Sequence, residues 1–163
     1  MSLRLIAVAG ALLMLAACSS APEAPPGGPE GPGGPGGISS SRFGPGSQQD
    51  LAATAGDRVF FAYNRADISA EAQQILQRQA EWLRRYGNVA VTIEGHCDER
   101  GSTDYNLALG DQRAGAVKSA LVSAGVNASR IKTISYGKEK PFCNESNEAC
   151  WQQNRRGHLV YQK

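Results

Sequence analysis

Asp98 and Arg113 are the side chains whose types and spacing most invite chemistry. Asp98 lies in GHCDERGSTDYNLALGDQR, Gly95 to Arg113, a stretch that starts where the alternating run Val89, Val91, Ile93 ends. The stretch finishes inside a helix-like segment that continues through Val117 and Leu121. A polar loop between a strand end and a helix start is where open α/β sheets hold ligands. A carboxylate on that loop and a guanidinium on that helix suit a ligand carrying both an ammonium and a carboxylate, each charge meeting its opposite. The competing reading is an internal salt bridge between Asp98 and Arg113. His96 and Cys97 beside Asp98 raise a catalytic thiol. Adjacent residues of an extended segment point to opposite faces, so Cys97 reads instead as a small, semi-buried thiol. Hydrolysis needs two carboxylates across a cleft, a zinc triad or an activated nucleophile. Asp98 and Glu99 meet that by count only, with no partner base, so the pattern points to binding rather than turnover.

The elements that must position these residues follow from periodicity. Val59-Phe60-Phe61-Ala62-Tyr63 reads as a first strand and Asn64 to Asp67 as a turn. Ser69 N-caps a helix whose stripe is Ala72, Ile75, Leu76, Gln79, Leu83 and Tyr86, with Trp82 at its edge and Gly87 as a left-handed stop. Val89 to Gly95 is the second strand. A second helix starts near Ser102 to Asp104 and ends at Gly125, with Gly110, Ala114, Val117 and Leu121 facing inward and Arg113 on the flank. Ile131 to Tyr136 and Gly157 to Tyr161 complete four strands. The class is an α/β sandwich (α+β), a mixed four-stranded sheet covered by helices.

GHCDERG followed by YNLALGDQRAGAV resembles the signature of the OmpA-like peptidoglycan-binding domain, and the resemblance runs from about Val59 to Tyr161. It implies a β-α-β-α-β-(short helix)-β domain whose ligand is the diaminopimelate of the peptidoglycan stem peptide. By that resemblance Asp98 is the binding aspartate after Gly-His, Arg113 in LGDQRA the binding arginine, and Asn106 the asparagine of the Tyr-Asn pair. Many members carry Asp where this chain has Asn64, whose amide oxygen still accepts a hydrogen bond. Asn154-Arg155-Arg156 also matches, and Arg156 is carried over as a neighbour of the site. Lipid-anchored members of the family bind TolB, a β-propeller of the Tol system, which implies a role in envelope integrity and outer-membrane constriction during division. No cofactor and no metal are implied.

The remaining sequence fits an anchored protein. Residues 1–17 have one early cation, Arg4, and then an apolar run too short to span a bilayer, the shape of a signal peptide. Leu15-Ala16-Ala17-Cys18 resembles a lipoprotein box, which implies lipidation of Cys18, export to the outer membrane and a periplasmic domain; ordinary secretion is the alternative. Two or more acyl chains anchor stably where one does not. Residues 18–56 read as lipidated cysteine and linker, with PPGGPEGPGGPGG lacking the apolar surface to fold. Within it, Gln48 to Gly56 is either a short helix or more linker. The domain is then 57–163. Formal net charge is +2 over 163 residues, with the cations dispersed, which excludes a nucleic-acid footprint. In an oxidising compartment Cys143 and Cys150 are expected to pair across CNESNEAC; zinc is the weaker reading, for want of a second ligand pair. Two other functions compete: a cell-wall hydrolase, and an OmpA-domain lipoprotein outside the Tol system.

Overall fold

The computed structural model describes residues 43–162. The expected signal peptide, the lipidation site Cys18 and the Pro/Gly-rich run lie outside the described residues. The elements are α1 (Gln48–Thr54), β1 (Arg58–Phe60), α2 (Ala70–Arg85), β2 (Val91–His96), α3 (Thr103–Ser123), β3 (Ile131–Gly137), α4 (Glu148–Asn154) and β4 (Arg156–Tyr161). The strands form one sheet in the order β1-β4-β2-β3. β4 is antiparallel to both β1 and β2, whereas β2 and β3 are parallel and joined across α3. The sheet is therefore mixed, as the sequence pattern predicts.

One face of the sheet carries the core. Val59, Val91, Ile93 and Leu159 are fully buried against Leu76, Leu83, Val117 and Leu121 of α2 and α3. Gly95 and Gly110 let α3 approach β2 closely: a Cβ on Gly95 would stand 1.8 Å from the Gly110 carbonyl oxygen. That contact fixes where the N-terminal half of α3 sits, and α3 carries the residues of interest.

Four expectations need correction. The first strand is shorter than Val59–Tyr63: after Phe60 the chain turns away, and the carbonyls of Phe61, Ala62 and Arg65 are taken by the guanidinium groups of Arg155 and Arg113. Gly87 is not left-handed, and Tyr86 caps α2. Its end carbonyls are satisfied by Arg130 instead, which donates to Leu83 and Tyr86 at 2.8 Å each. Trp82 is not at an edge but 2% exposed, because α1 covers it and Asp50 accepts its indole N–H at 2.9 Å. Residues 48–54 thus belong to the folded unit rather than to the linker. Leu51 is fully buried, and the Gln48 side chain bonds the backbone of Leu159 and Tyr161.

Cys143 and Cys150 form a disulfide, which closes the loop before α4. Ser69 and Ser102 cap α2 and α3 as expected, and Gly125 (φ +91°) follows the end of α3.

Candidate functional site

The site is built where β2 gives way to α3. The Cys97 N–H donates to the Gly137 carbonyl at 2.7 Å, which ends the sheet pairing and turns the chain into the loop 97–102. Asn106, one turn into α3, ties the loop back: its side-chain N–H groups donate to the carbonyls of Arg100 at 2.9 Å and Ser102 at 3.1 Å. The Lys138 ammonium caps the Gly101 carbonyl at 2.7 Å. Asn106, Leu109 and Arg113 follow at helical spacing, so one face of α3 looks under the loop.

Arg113 is 1% exposed, not on a half-wet flank. It donates to the carbonyls of His96 (2.8 Å), Arg65 (2.9 Å) and Ala62 (3.2 Å), and so binds the turn after β1 to the end of β2. Among the described residues no carboxylate pairs with it. Burial lowers its pKa, while the nearby Cys97 and Asp98 pull the other way. A guanidinium has five N–H groups, more than the three carbonyls and the neighbouring Cys97 sulfur take up.

The competing reading, an internal Asp98–Arg113 salt bridge, does not hold, because Asp98 pairs with Arg100 and Arg155. Its Oδ1 accepts from the Arg100 backbone N–H and Nε at 3.1 Å each; its Oδ2 accepts from Arg100 Nη2 at 2.7 Å and Arg155 Nη1 at 3.3 Å. Burial works against the ionised form, but these donors outweigh it and hold the carboxyl below its ordinary pKa. Arg100 is stacked between the rings of Tyr63 and Trp151, 4.1 and 4.0 Å from their centroids.

Four of the five ligand residues expected from the sequence, Asn64, Asp98, Asn106 and Arg113, line one pocket of about 60 Å³, with Tyr63 and Tyr105 at its mouth. Asn64 holds a left-handed backbone (φ +56°), and its side-chain oxygen accepts from the Tyr105 hydroxyl. The fifth residue, Arg156, does not line the pocket. It lies on the open face of the sheet, its guanidinium 5.7 Å from the Phe142 ring centre. Its neighbour Arg155 reaches the site instead. Alternation back from Leu159 could have shown this, since 155, 157 and 159 share the core-facing side of β4 and 156 and 158 the other. Arg100 and the aromatic rings of Tyr63 and Trp151 that flank it were also missed, since they come from two loops and from α4.

Cys97 is 2% exposed, and its thiol donates to the Asn106 carbonyl at 3.3 Å. Burial raises its pKa, the opposite of what a nucleophile needs. The pocket thus offers a carboxylate, a guanidinium with free N–H groups and two amides, a set suited to recognising a small zwitterionic group.

The chain resembles known proteins in sequence and fold. A curated peptidoglycan-associated lipoprotein of Agrobacterium fabrum is 59% identical over 116 residues, covering 71% of this chain and 66% of that relative, so the match spans just under two thirds of its length. A peptidoglycan-associated lipoprotein of Haemophilus influenzae is 38% identical over 154 residues, 94% of each chain. The crystal structure of the peptidoglycan-associated lipoprotein from Burkholderia pseudomallei superposes with a TM-score of 0.65 at 41% identity, covering 67% of this chain and 92% of that one. With the OmpA family model matching residues 60–155 as well, the chain belongs to the OmpA family.

Proposed function

We propose that this chain is a lipid-anchored envelope protein that binds peptidoglycan non-covalently, without turnover, through the pocket between Asp98 and Arg113. One observation carries the reading: Arg113 is a buried cation whose hydrogen-bond partners, three carbonyls and the Cys97 thiol, carry no charge, and it shares a pocket with a buried carboxylate. A ligand carboxylate at Arg113 supplies the missing countercharge, and a ligand ammonium meets Asp98. The free end of diaminopimelate in the stem peptide carries both groups on one carbon. Asn64 and Asn106 add neutral contacts that orient it.

All acceptor positions of Asp98 are occupied in the free domain, so the incoming ammonium displaces Arg100, whose side chain is the more exposed of the two arginine partners. The names of the relatives support the wall and lipid parts of this reading. Anchoring at Cys18 in the outer membrane, and partnership with TolB in the Tol system during constriction, are carried by the sequence resemblance.

The test is sedimentation of the protein with purified sacculi. Wall containing diaminopimelate should bring down wild-type protein and much less of Asp98→Ala or Arg113→Ala, with the fold checked by circular dichroism. Because Arg113→Ala also strands three carbonyls, Asp98→Asn serves as the gentler variant. Equal binding to wall lacking diaminopimelate overturns the ligand assignment whatever the variants do.

A further inference from the structure

The open face of the sheet, away from the pocket, brings together Glu94 of β2, His96 at its end and His158 of β4, with one donor atom from each lying within 4.8 Å of the others. From this placement we infer that the protein has a second site, for a borderline transition-metal ion of the Zn²⁺ class, held by Glu94, His96 and His158 with water in the fourth position.

The distances suit the ion. With metal–ligand bonds of about 2.0–2.2 Å at tetrahedral angles, adjacent donor atoms stand roughly 3.3–3.6 Å apart. Glu94 Oε2 is 3.3 Å from His96 Nε2 and 3.5 Å from His158 Nδ1. Strand register makes the cluster: Glu94 is the direct cross-strand partner of His158, and His96 lies two residues along β2.

The outer partners fit as well. His158 Nε2 is 3.2 Å from Asp57 Oδ2, and a carboxylate only accepts, so that nitrogen carries the proton. The Nδ1 lone pair of His158 then faces a Glu94 oxygen, an arrangement that a cation between them relieves. A carboxylate behind the far nitrogen of a ligating histidine is the usual support for such a ligand. His96 is 1% exposed and presents its Nε2 to the same Glu94 oxygen. Arg156 and Arg58 also face this region and oppose a cation, while Asp57 and Glu94 offset them. Tyr136 packs on the His96 ring at 5.6 Å, and access is from the Glu94–His158 side, where the side chains are 20% and 19% exposed.

The experiment uses the untagged full-length protein in detergent, stripped with EDTA and titrated with Zn²⁺ by calorimetry at pH 7.5. One equivalent is expected, with the dissociation constant raised at least about tenfold in Glu94→Gln and in His158→Gln, and comparably in Asp57→Asn. Glu94 and His158 are chosen because they are partly exposed, and wild-type circular dichroism of each variant excludes a folding loss. Failure of the wild type to bind, or binding that is unchanged in both ligand variants, overturns the site. Neither result touches the wall-binding pocket, which lies on the other side of the sheet.

Discussion

Arg155 Nη1 lies 3.3 Å from Asp98 Oδ2, and both side chains are about 95% or more buried. The same guanidinium donates to the Phe61 carbonyl at 3.1 Å and to Glu148 at 2.5 Å, so it joins β1, the ligand loop and α4. Asp98 is therefore a structural anion as well as the proposed ligand contact. Arg155→Met should leave it buried with Arg100 as its remaining cation, and breaking a buried pair costs about 3–5 kcal/mol. Thermal unfolding should show a fall in Tm of roughly 10 °C or more. A change within about 2 °C would mean that Arg155 does not support the loop.

In the proposed binding mode Arg100 stands where the ligand ammonium would meet Asp98. It supplies three of the four contacts to that carboxylate, yet its side chain is 30% exposed. A partly exposed pair of this kind contributes on the order of 0.5–1 kcal/mol. Arg100→Ala should therefore tighten binding to diaminopimelate-containing wall about two- to fivefold. Weaker binding would show that Arg100 itself grips the ligand, through its stack between Tyr63 and Trp151.

His96 gives the fold a pH dependence. Its folded pKa is about 4 against an ordinary 6.5, chiefly through burial, with Arg156 adding repulsion. Between these values the unfolded chain binds the proton and the folded chain does not, so stability falls as the pH is lowered through this window. The contribution is fully present above about pH 6.5, and roughly 3 kcal/mol of it is lost by pH 4. Urea unfolding in EDTA at pH 7.5 and pH 5 should show the loss, and His96→Gln should flatten it. Parallel pH profiles for the two proteins would assign the slope elsewhere.

Much of this was legible from local chemistry. Ser69 and Ser102 announce helix starts because their hydroxyls satisfy orphan N–H groups, and the alternation of Val89, Val91 and Ile93 announces a half-covered strand. Asp98 and Arg113 were legible because strand end, loop and helix place them in order, and Asn106 through the family resemblance. What stayed hidden depends on long-range partners. Nothing local shows that Arg130 caps α2, that α1 covers Trp82, or that Arg155 answers a carboxylate 57 positions earlier in the sequence. The pairing of Glu94 with His158 likewise needs the strand order, which periodicity does not encode.

The contact between Gly95 and Gly110 sets the height of α3 over β2, and with it the placement of Asn106 and Arg113. An added Cβ at Gly95 meets the Gly110 carbonyl oxygen at 1.8 Å and the carbonyl carbon at 2.6 Å, both backbone atoms that cannot swing aside. Gly95→Ala should push α3 off the sheet, cost at least about 4 kcal/mol and abolish wall binding along with the native thermal transition. Gly115, in the same helix, has nothing within 4 Å of its added Cβ. Gly115→Ala should accordingly raise stability by up to about 1 kcal/mol, since alanine loses less backbone entropy in a helix, and leave binding unchanged. Measured side by side by chemical denaturation, the two variants separate close packing from helix propensity. A mild effect at Gly95 would show that α3 can shift without disturbing the pocket beneath its first turns.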